Sequence, residues 1–279
     1  MDNLTTYAEN TWCPGCGNFG IFNAFKKAVK ILEKSGIGQD RIIISGGIGC
    51  HGKIFDYLNL SGFYSIHGRA IATVQGMKIA NPELKVVAFV GDGDALGEGI
   101  SHLIFAAKRN ANITVIMHDN GVYGLTTGQY TPTSAKGFKG PSTPYGSIEE
   151  PLNPLSLMLE AGSTFVARGY SGKLDHLANL MAEAMLHEGF AFVDVLQPCV
   201  SYNDTYEKYN QLVEILDHVS GEYSEAIALA KKTDRLPLGI LYRVRKPTFH
   251  KELYGDWNPI LNRLSRKERA ERILRLVQP

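Results

Sequence analysis

A chain of 279 residues with 44% hydrophobic and 20% charged content can bury a full core. Its formal net charge of +1 gives no electrostatic case for nucleic acid or an anionic membrane as partner. No apolar run reaches the length of a membrane span, and the opening MDNLTTYAEN has neither the basic nor the apolar region of a signal peptide, so a cytoplasmic location is expected.

In chain order, NTWCPGCGN places Cys13 and Cys16 as a CxxC in a Pro/Gly loop. A helix follows from about Phe19 to Lys34, with Phe22, Phe25, Ala28, Val29 and Leu32 at helical spacing and Gly36 as its stop. A short isoleucine-rich strand, Arg41 to Ser45, empties into the glycine-dense Gly46-Gly47-Ile48-Gly49-Cys50-His51-Gly52-Lys53, as backbone does when it packs against a ligand. His67-Gly68-Arg69 opens another helix, ending near Asn81-Pro82. Val86 to Val90 reads as a buried parallel strand running into the turn Gly91-Asp92-Gly93-Asp94. A helix over about Gly97–Asn110 and a second buried strand, Ile113–Met117, complete a βαβ unit ending at His118-Asp119-Asn120.

Residues 126–147 have the Gly/Pro/Ser/Thr composition of a long loop, of the kind that is functional or mobile. Beyond it the α/β alternation continues: helix Leu155–Ala161, strand Thr164–Arg168, helix Leu174–Glu188 and strand Ala191–Leu196, closed by Gln197-Pro198-Cys199. From about Tyr202 the alternation fades. A helix Tyr223–Lys232, a strand Gly239–Val244 and a basic amphipathic helix Ser265–Val277 read as an extension. The pattern predicts an α/β domain over residues 1–200, a parallel sheet flanked by helices, followed by a small C-terminal extension over 201–279.

The βαβ unit carries the chemistry. Adjacent parallel strands end on one rim, so Asp92 and Asn120 face the same small volume. A carboxylate, an amide oxygen and the free carbonyls of the 120–122 loop are hard oxygen ligands that suit Mg²⁺, and the glycine-rich turn offers backbone N–H groups to an anion. GDG followed after 26 residues by Asn resembles the thiamine diphosphate motif. A plain βαβ turn with Asp92 as a helix cap is the simpler alternative, which the second half of the motif disfavours.

Cys13 and Cys16 precede a helix start, whereas Cys50 and Cys199 follow strand ends. All four cysteines therefore fall on the rim of Asp92 and Asn120. Too few for a disulfide scaffold, they point to a metal or redox centre. One CxxC with two distant single cysteines favours an iron–sulfur cluster; structural zinc, or a dithiol with two buried unligated thiols, stays open.

The set WCPGCGN, SGGIGCHGK, IHGRA, GDGDALGEG, HDNGVYGLT and VLQPC resembles the β subunit of archaeal and bacterial 2-oxoacid:ferredoxin oxidoreductases, continuously over roughly residues 10–205 and more weakly around Leu236–Tyr242. The WCPGCG form looks like the 2-oxoglutarate or broad 2-oxoacid branch. The resemblance implies a thiamine-diphosphate-binding fold in which Asp92, Asn120 and the Val122 carbonyl hold Mg²⁺. It further implies that Ile48, Gly49, Cys50, His51, His67, Gly93, Asp94, Gly124 and Leu125 touch thiamine diphosphate, and that Cys13, Cys16, Cys50 and Cys199 hold one [4Fe–4S] cluster. Lys53 matches a family lysine associated with substrate or coenzyme A, and Lys53 and His67 are the candidate catalytic residues. His51 stands where some members have a smaller residue. The implied reaction is oxidative decarboxylation of a 2-oxoacid, 2-oxoglutarate or pyruvate, to acyl-coenzyme A and CO₂, with ferredoxin as electron acceptor. Thiamine enzymes also need a carboxylate against the aminopyrimidine ring, and one α/β core leaves no room for it, so a larger α subunit is implied as partner. The alternatives are the diphosphate-binding subunit of a non-redox thiamine-dependent decarboxylase, which needs no four cysteines, and a zinc-stapled α/β binding module.

Overall fold

The computed structural model describes residues 4–261 and 263–277. Residues 1–3, 262, 278 and 279, which belong to the expected first segment and the C-terminal extension, lie outside the described residues. The strands are β1 (Ile42–Gly46), β2 (Ser61–Tyr64), β3 (Lys85–Gly91), β4 (Thr114–Asp119), β5 (Val122–Tyr123), β6 (Gln129–Tyr130), β7 (Phe165–Tyr170), β8 (Ala191–Leu196), β9 (Val213–Ile215) and β10 (Leu236–Arg243). The helices are α1 (Asn18–Lys34), α2 (Ile54–Tyr57), α3 (Ala70–Ala80), α4 (Ile100–Lys108), α5 (Pro154–Glu160), α6 (Leu174–Leu186), α7 (Tyr206–Leu212), α8 (Tyr223–Ala230), α9 (Phe249–Tyr254) and α10 (Arg266–Val277).

Near-continuous apolar runs need cover on both faces, and these strands find it. Along β3, Val87 and Phe89 point into a layer with α1 and α6, while Val86, Ala88 and Val90 point into a second layer with α3, α4, α5 and α8. The sheet order is β2-β1-β3-β4-β8-β7-β10-β9, parallel throughout except that β10 runs antiparallel to β7. The strands β1, β3, β4 and β8 are thus neighbours, and their carboxyl ends form one rim.

Helix α1 shows how locally the sequence decides. Its stripe of Ile21, Phe22, Phe25, Ala28, Val29 and Leu32 is buried, chiefly against α6. It stops where Gly36 takes φ +86°, letting Gly36 N–H and Ile37 N–H bond back to the carbonyls of Glu33 and Leu32 at 3.0 Å each.

Several short elements (α2, β5, β6, α7, β9 and α9) go beyond the expected pattern, and three further differences are informative. The strand β2 was not visible in the pattern because all four of its residues are exposed. Helical geometry begins directly after Asp92, as a π-helical turn over Gly93–Glu98 that breaks at Gly99 before α4, rather than as one helix from Gly97. Residues beyond 200 contribute β10, which starts at Leu236 instead of Gly239 and lies inside the main sheet between β7 and β9. No described helix is long and apolar enough to cross a membrane.

Candidate active site

The ends of β1, β3 and β4 enclose a narrow cleft of about 80 Å³. It is lined by Ile48, Gly49, Cys50, His51, His67, Asp92, Gly93, Asp94, Asn120, Val122, Gly124 and Leu125, together with Gly91, Tyr123 and Thr126. The residues expected from the sequence to meet thiamine diphosphate and Mg²⁺ are therefore brought to one volume. A second cavity of about 180 Å³ adjoins it and is lined by all four cysteines. The two share Cys50, Asn120, Gly124 and Leu125.

Asp94 organises one wall. Its Oδ1 accepts the backbone N–H groups of Gly68 (2.9 Å) and Ile48 (3.3 Å) and lies 3.2 Å from His67 Nδ1. Burial raises its pKa, but the His51 imidazole and these two amides outweigh it, and the carboxylate ends below its usual range. A Cβ on Gly47 would stand 2.0 Å from Asp94 Oδ2, so only glycine lets β1 approach this closely. His51 Nε2 and Asp94 Oδ2 face each other at 3.7 Å, within ion-pair reach but too far for a hydrogen bond, and both are buried with no hydrogen-bond partner. Buried polar atoms are nearly always paired, so two orphans at a glycine-walled cleft fit a polar ligand. The π-helical turn beginning at Gly93 has the geometry that recurs at functional sites.

Asp92 lines the cleft on this polar rim and is buried there, only 2% exposed. Its Oδ2 accepts hydroxyl protons from Thr131 (2.5 Å) and Thr133 (2.6 Å), and its pKa is raised by burial, with those hydroxyls pulling it back. The Thr133 hydroxyl also sits 2.8 Å from Asp119 Oδ1. One hydroxyl has one proton to give, so Thr133 shares it between the two carboxyls. Burial, with Asp194 and Asp92 nearby, pushes Asp119 well above the carboxylate range, whereas Arg168, its Nε 3.3 Å from Asp194 Oδ2, pulls Asp194 back. Asn120 Oδ1 accepts from Val122 N–H (2.9 Å) and its Nδ2 donates to Gln197 Oε1 (3.0 Å).

In the cysteine cavity, Cys13 is exposed and Cys16 buried, with Cys50 and Cys199 between, and none is in a disulfide. Cys16 N–H bonds to Cys13 O at 3.0 Å, the turn a CxxC needs. Burial, then the neighbouring thiols, push Cys16 up to about 11. Burial also raises Cys50, opposed by Lys53. Donors already face the sulfurs: Ser201 Oγ lies 3.2 Å from Cys13 Sγ and Gln197 Nε2 3.6 Å from Cys16 Sγ. A Cβ on Gly124 would lie 3.6 Å from Cys199 Sγ and 3.7 Å from Cys50 Sγ, so this glycine leaves the cavity open between them. Among the described residues no three His, Cys, Asp or Glu side chains stand close enough to hold a single metal ion.

Lys53 lines the cysteine cavity, not the cleft, and its Nζ donates to Thr11 Oγ1 at 3.0 Å. His118 is buried against Asn18, its Nδ1 2.8 Å from Asn18 Oδ1, and burial and His51 hold its pKa well below the usual histidine value. Sequence reasoning missed Thr131, Thr133 and Asp119. The only signal was a run of hydroxyls, Thr131-Pro132-Thr133-Ser134, in a loop of unspecified path.

Residues 47–195 match the family model described as thiamine pyrophosphate enzyme, C-terminal TPP binding domain, and residues 199–255 match the model for the C-terminal part of the pyruvate ferredoxin oxidoreductase beta subunit. A 2-oxoacid:ferredoxin oxidoreductase subunit beta from Saccharolobus solfataricus is 41% identical over 268 residues, 90% of this chain and 87% of that one. The 2-oxoglutarate oxidoreductase subunit KorB of Mycobacterium tuberculosis is 43% identical over 202 residues, 72% of this chain and 53% of its own length. Among solved structures, a chain of 2-oxoglutarate:ferredoxin oxidoreductase from Magnetococcus marinus, with 2-oxoglutarate, coenzyme A and succinyl-CoA bound, superposes with a TM-score of 0.91 at 36% identity, covering 99% of this chain and 95% of that one.

Proposed function

The chain belongs to the family of 2-oxoacid:ferredoxin oxidoreductase β subunits, and from that premise we propose that it works with a larger α subunit to convert 2-oxoglutarate and coenzyme A to succinyl-CoA and CO₂, passing electrons to ferredoxin. The observation that carries this reading is the contact between the two cavities. A cleft of hard oxygen ligands and glycine backbone shares Cys50, Asn120, Gly124 and Leu125 with a chamber of four thiols.

Asp92, Asn120 and the Val122 carbonyl would hold Mg²⁺ on the diphosphate. Ile48, Gly49, Cys50, His51, His67, Gly93, Asp94, Gly124 and Leu125 would contact thiamine diphosphate. Cys13, Cys16, Cys50 and Cys199 would hold one [4Fe–4S] cluster, a reading supported by the spread of their sulfurs around a cavity and by the donors of Ser201 and Gln197. When bound, thiamine diphosphate supplies the electron sink for decarboxylation and the cluster a one-electron outlet. The protein's part is positional. Asp94 fixes the loops carrying Ile48 and Gly68 and orients His67, whose side chain is 47% exposed and can meet a substrate. Lys53, over the thiol chamber, offers a point charge to an anionic substrate or to coenzyme A.

The test is acceptor reduction by the purified complex. Reduction of ferredoxin that requires both 2-oxoglutarate and coenzyme A is the expected result, with pyruvate tested alongside. CO₂ release without acceptor reduction would instead identify a non-redox decarboxylase.

A further inference from the structure

The turn Thr131–Ser134 reaches both halves of the diphosphate motif. From one side, Thr131 and Thr133 give their hydroxyl protons to the same oxygen, Oδ2, of Asp92 at the end of β3, at 2.5 and 2.6 Å. From the other, Ser134 Oγ donates to the Gly121 carbonyl in the loop after β4, at 2.6 Å. The turn is closed on itself by Ser134 N–H to Thr131 O (3.0 Å) and Thr131 N–H to Ser134 Oγ (2.7 Å). Thr131 is 2% and Ser134 4% exposed, so water does not compete for their hydroxyls, while Thr133 is half-buried. Register is set by the hairpin β5–β6, which pairs Val122 with Tyr130 and delivers the turn directly beneath the Asn120–Val122 loop.

We propose that Thr131, Thr133 and Ser134 are positioning residues for the cation–diphosphate site: a hydroxyl clamp that fixes the rotation of the Asp92 carboxylate and the spacing between the β3 and β4 loops. Two donors on one oxygen stop a carboxylate turning about its Cβ–Cγ bond. The Gly121 contact then ties the backbone carrying Asn120 and Val122 to the same turn. Groups that orient metal ligands in this way typically govern affinity by tenfold to a hundredfold. The inference rests on the reading that Asp92 and the 120–122 loop hold Mg²⁺, and the experiment separates the two.

The measurements are Mn²⁺ and thiamine diphosphate affinity, by titration of the protein purified with its accompanying subunit, for Thr133→Val, Thr131→Val, Thr133→Ser, Ser134→Ala and the control Asp92→Asn. The clamp predicts that each valine variant weakens both affinities by about tenfold or more while the visible absorption of the cysteine site is unchanged, and that Thr133→Ser stays near the parent. Should a valine variant fail to fold, the comparison of Thr133→Ser with Ser134→Ala decides: Ser134→Ala must weaken binding and Thr133→Ser must not. Loss in Asp92→Asn with full affinity in the hydroxyl variants overturns the clamp and leaves the site reading standing. Full affinity in Asp92→Asn overturns the site reading and the clamp with it. Equal loss in Thr133→Ser and Thr133→Val also overturns the clamp, since the hydroxyl is then not the operative group.

Discussion

The two ends of the sheet carry cavities of opposite character. At the end where β8 begins and β10 finishes lies a groove of about 850 Å³, lined by Glu183, Leu186, His187, Glu188, Arg243, Val244 and Arg245. The cleft at the other end, at the carboxyl termini of β1, β3 and β4, is about a tenth of that size. In the large groove, charges meet partners: Arg243 pairs with Glu183 at 2.6 Å, and Glu188 with Lys251 at 3.0 Å. His187 there is held neutral, its pKa pushed down to about 4 by burial and by Arg243 and Arg245. In the small cleft, His51 Nε2 and Asp94 Oδ2 are buried and unpartnered, and Asp92 is desolvated at the end of its strand. Volume does not locate the chemistry. The chemistry proposed above belongs to the smaller cleft, where buried polar groups lack hydrogen-bond partners.

Breaking that comparison should be easiest at the thiol chamber. Cys199→Ser is expected to lose or destabilise the cluster, although Cys199 is far from the CxxC in sequence, and iron content with visible absorption reads it. Full iron and the unaltered broad absorption would remove Cys199 from the ligand set. Lys53→Ala should have the next largest effect: an anion contact of about 1.5–3 kcal/mol corresponds to a KM raised on the order of tenfold to a hundredfold with modest loss of kcat. Varying 2-oxoacid and coenzyme A separately identifies which ligand it serves, and unchanged constants would make it a solvated charge. Smallest of all should be Arg243→Ala in the large groove. Its partner is 48% exposed, so the loss in stability should stay within about 1 kcal/mol, with cofactor affinity unchanged. A tenfold fall in thiamine diphosphate affinity from this variant would mean that the two rims are not independent.

The same contrast explains what the sequence could reveal. The βαβ unit was legible because its strands are apolar runs that end abruptly in charged and glycine residues, a pattern that demands burial followed by a turn. The sharing of one rim by four cysteines followed from topology, since helix starts and strand ends meet there, and all four do line one cavity. Their role as ligands is a proposal that this meeting supports. The strand β2 escaped notice because Ser61–Tyr64 has no buried face to impose alternation. The start of β10 was hidden by Pro237, tolerated where it pairs with the short β9. The burial of Asp92 could not be read at all. It depends on Thr131 and Thr133 folding back across a loop whose composition specifies turns without their path. Lys53 follows Cys50 by three residues, and the short helical turn Cys50–Lys53 directs it to the thiol chamber that adjoins the cleft.

The central claim is that one rim holds a thiamine diphosphate cleft beside an iron–sulfur chamber, and the most direct test is iron and acid-labile sulfide per chain after anaerobic purification. One [4Fe–4S] cluster predicts iron and sulfide in equal amounts, about four of each per chain. A single zinc with no sulfide, or no metal at all in protein that still binds thiamine diphosphate, would contradict it.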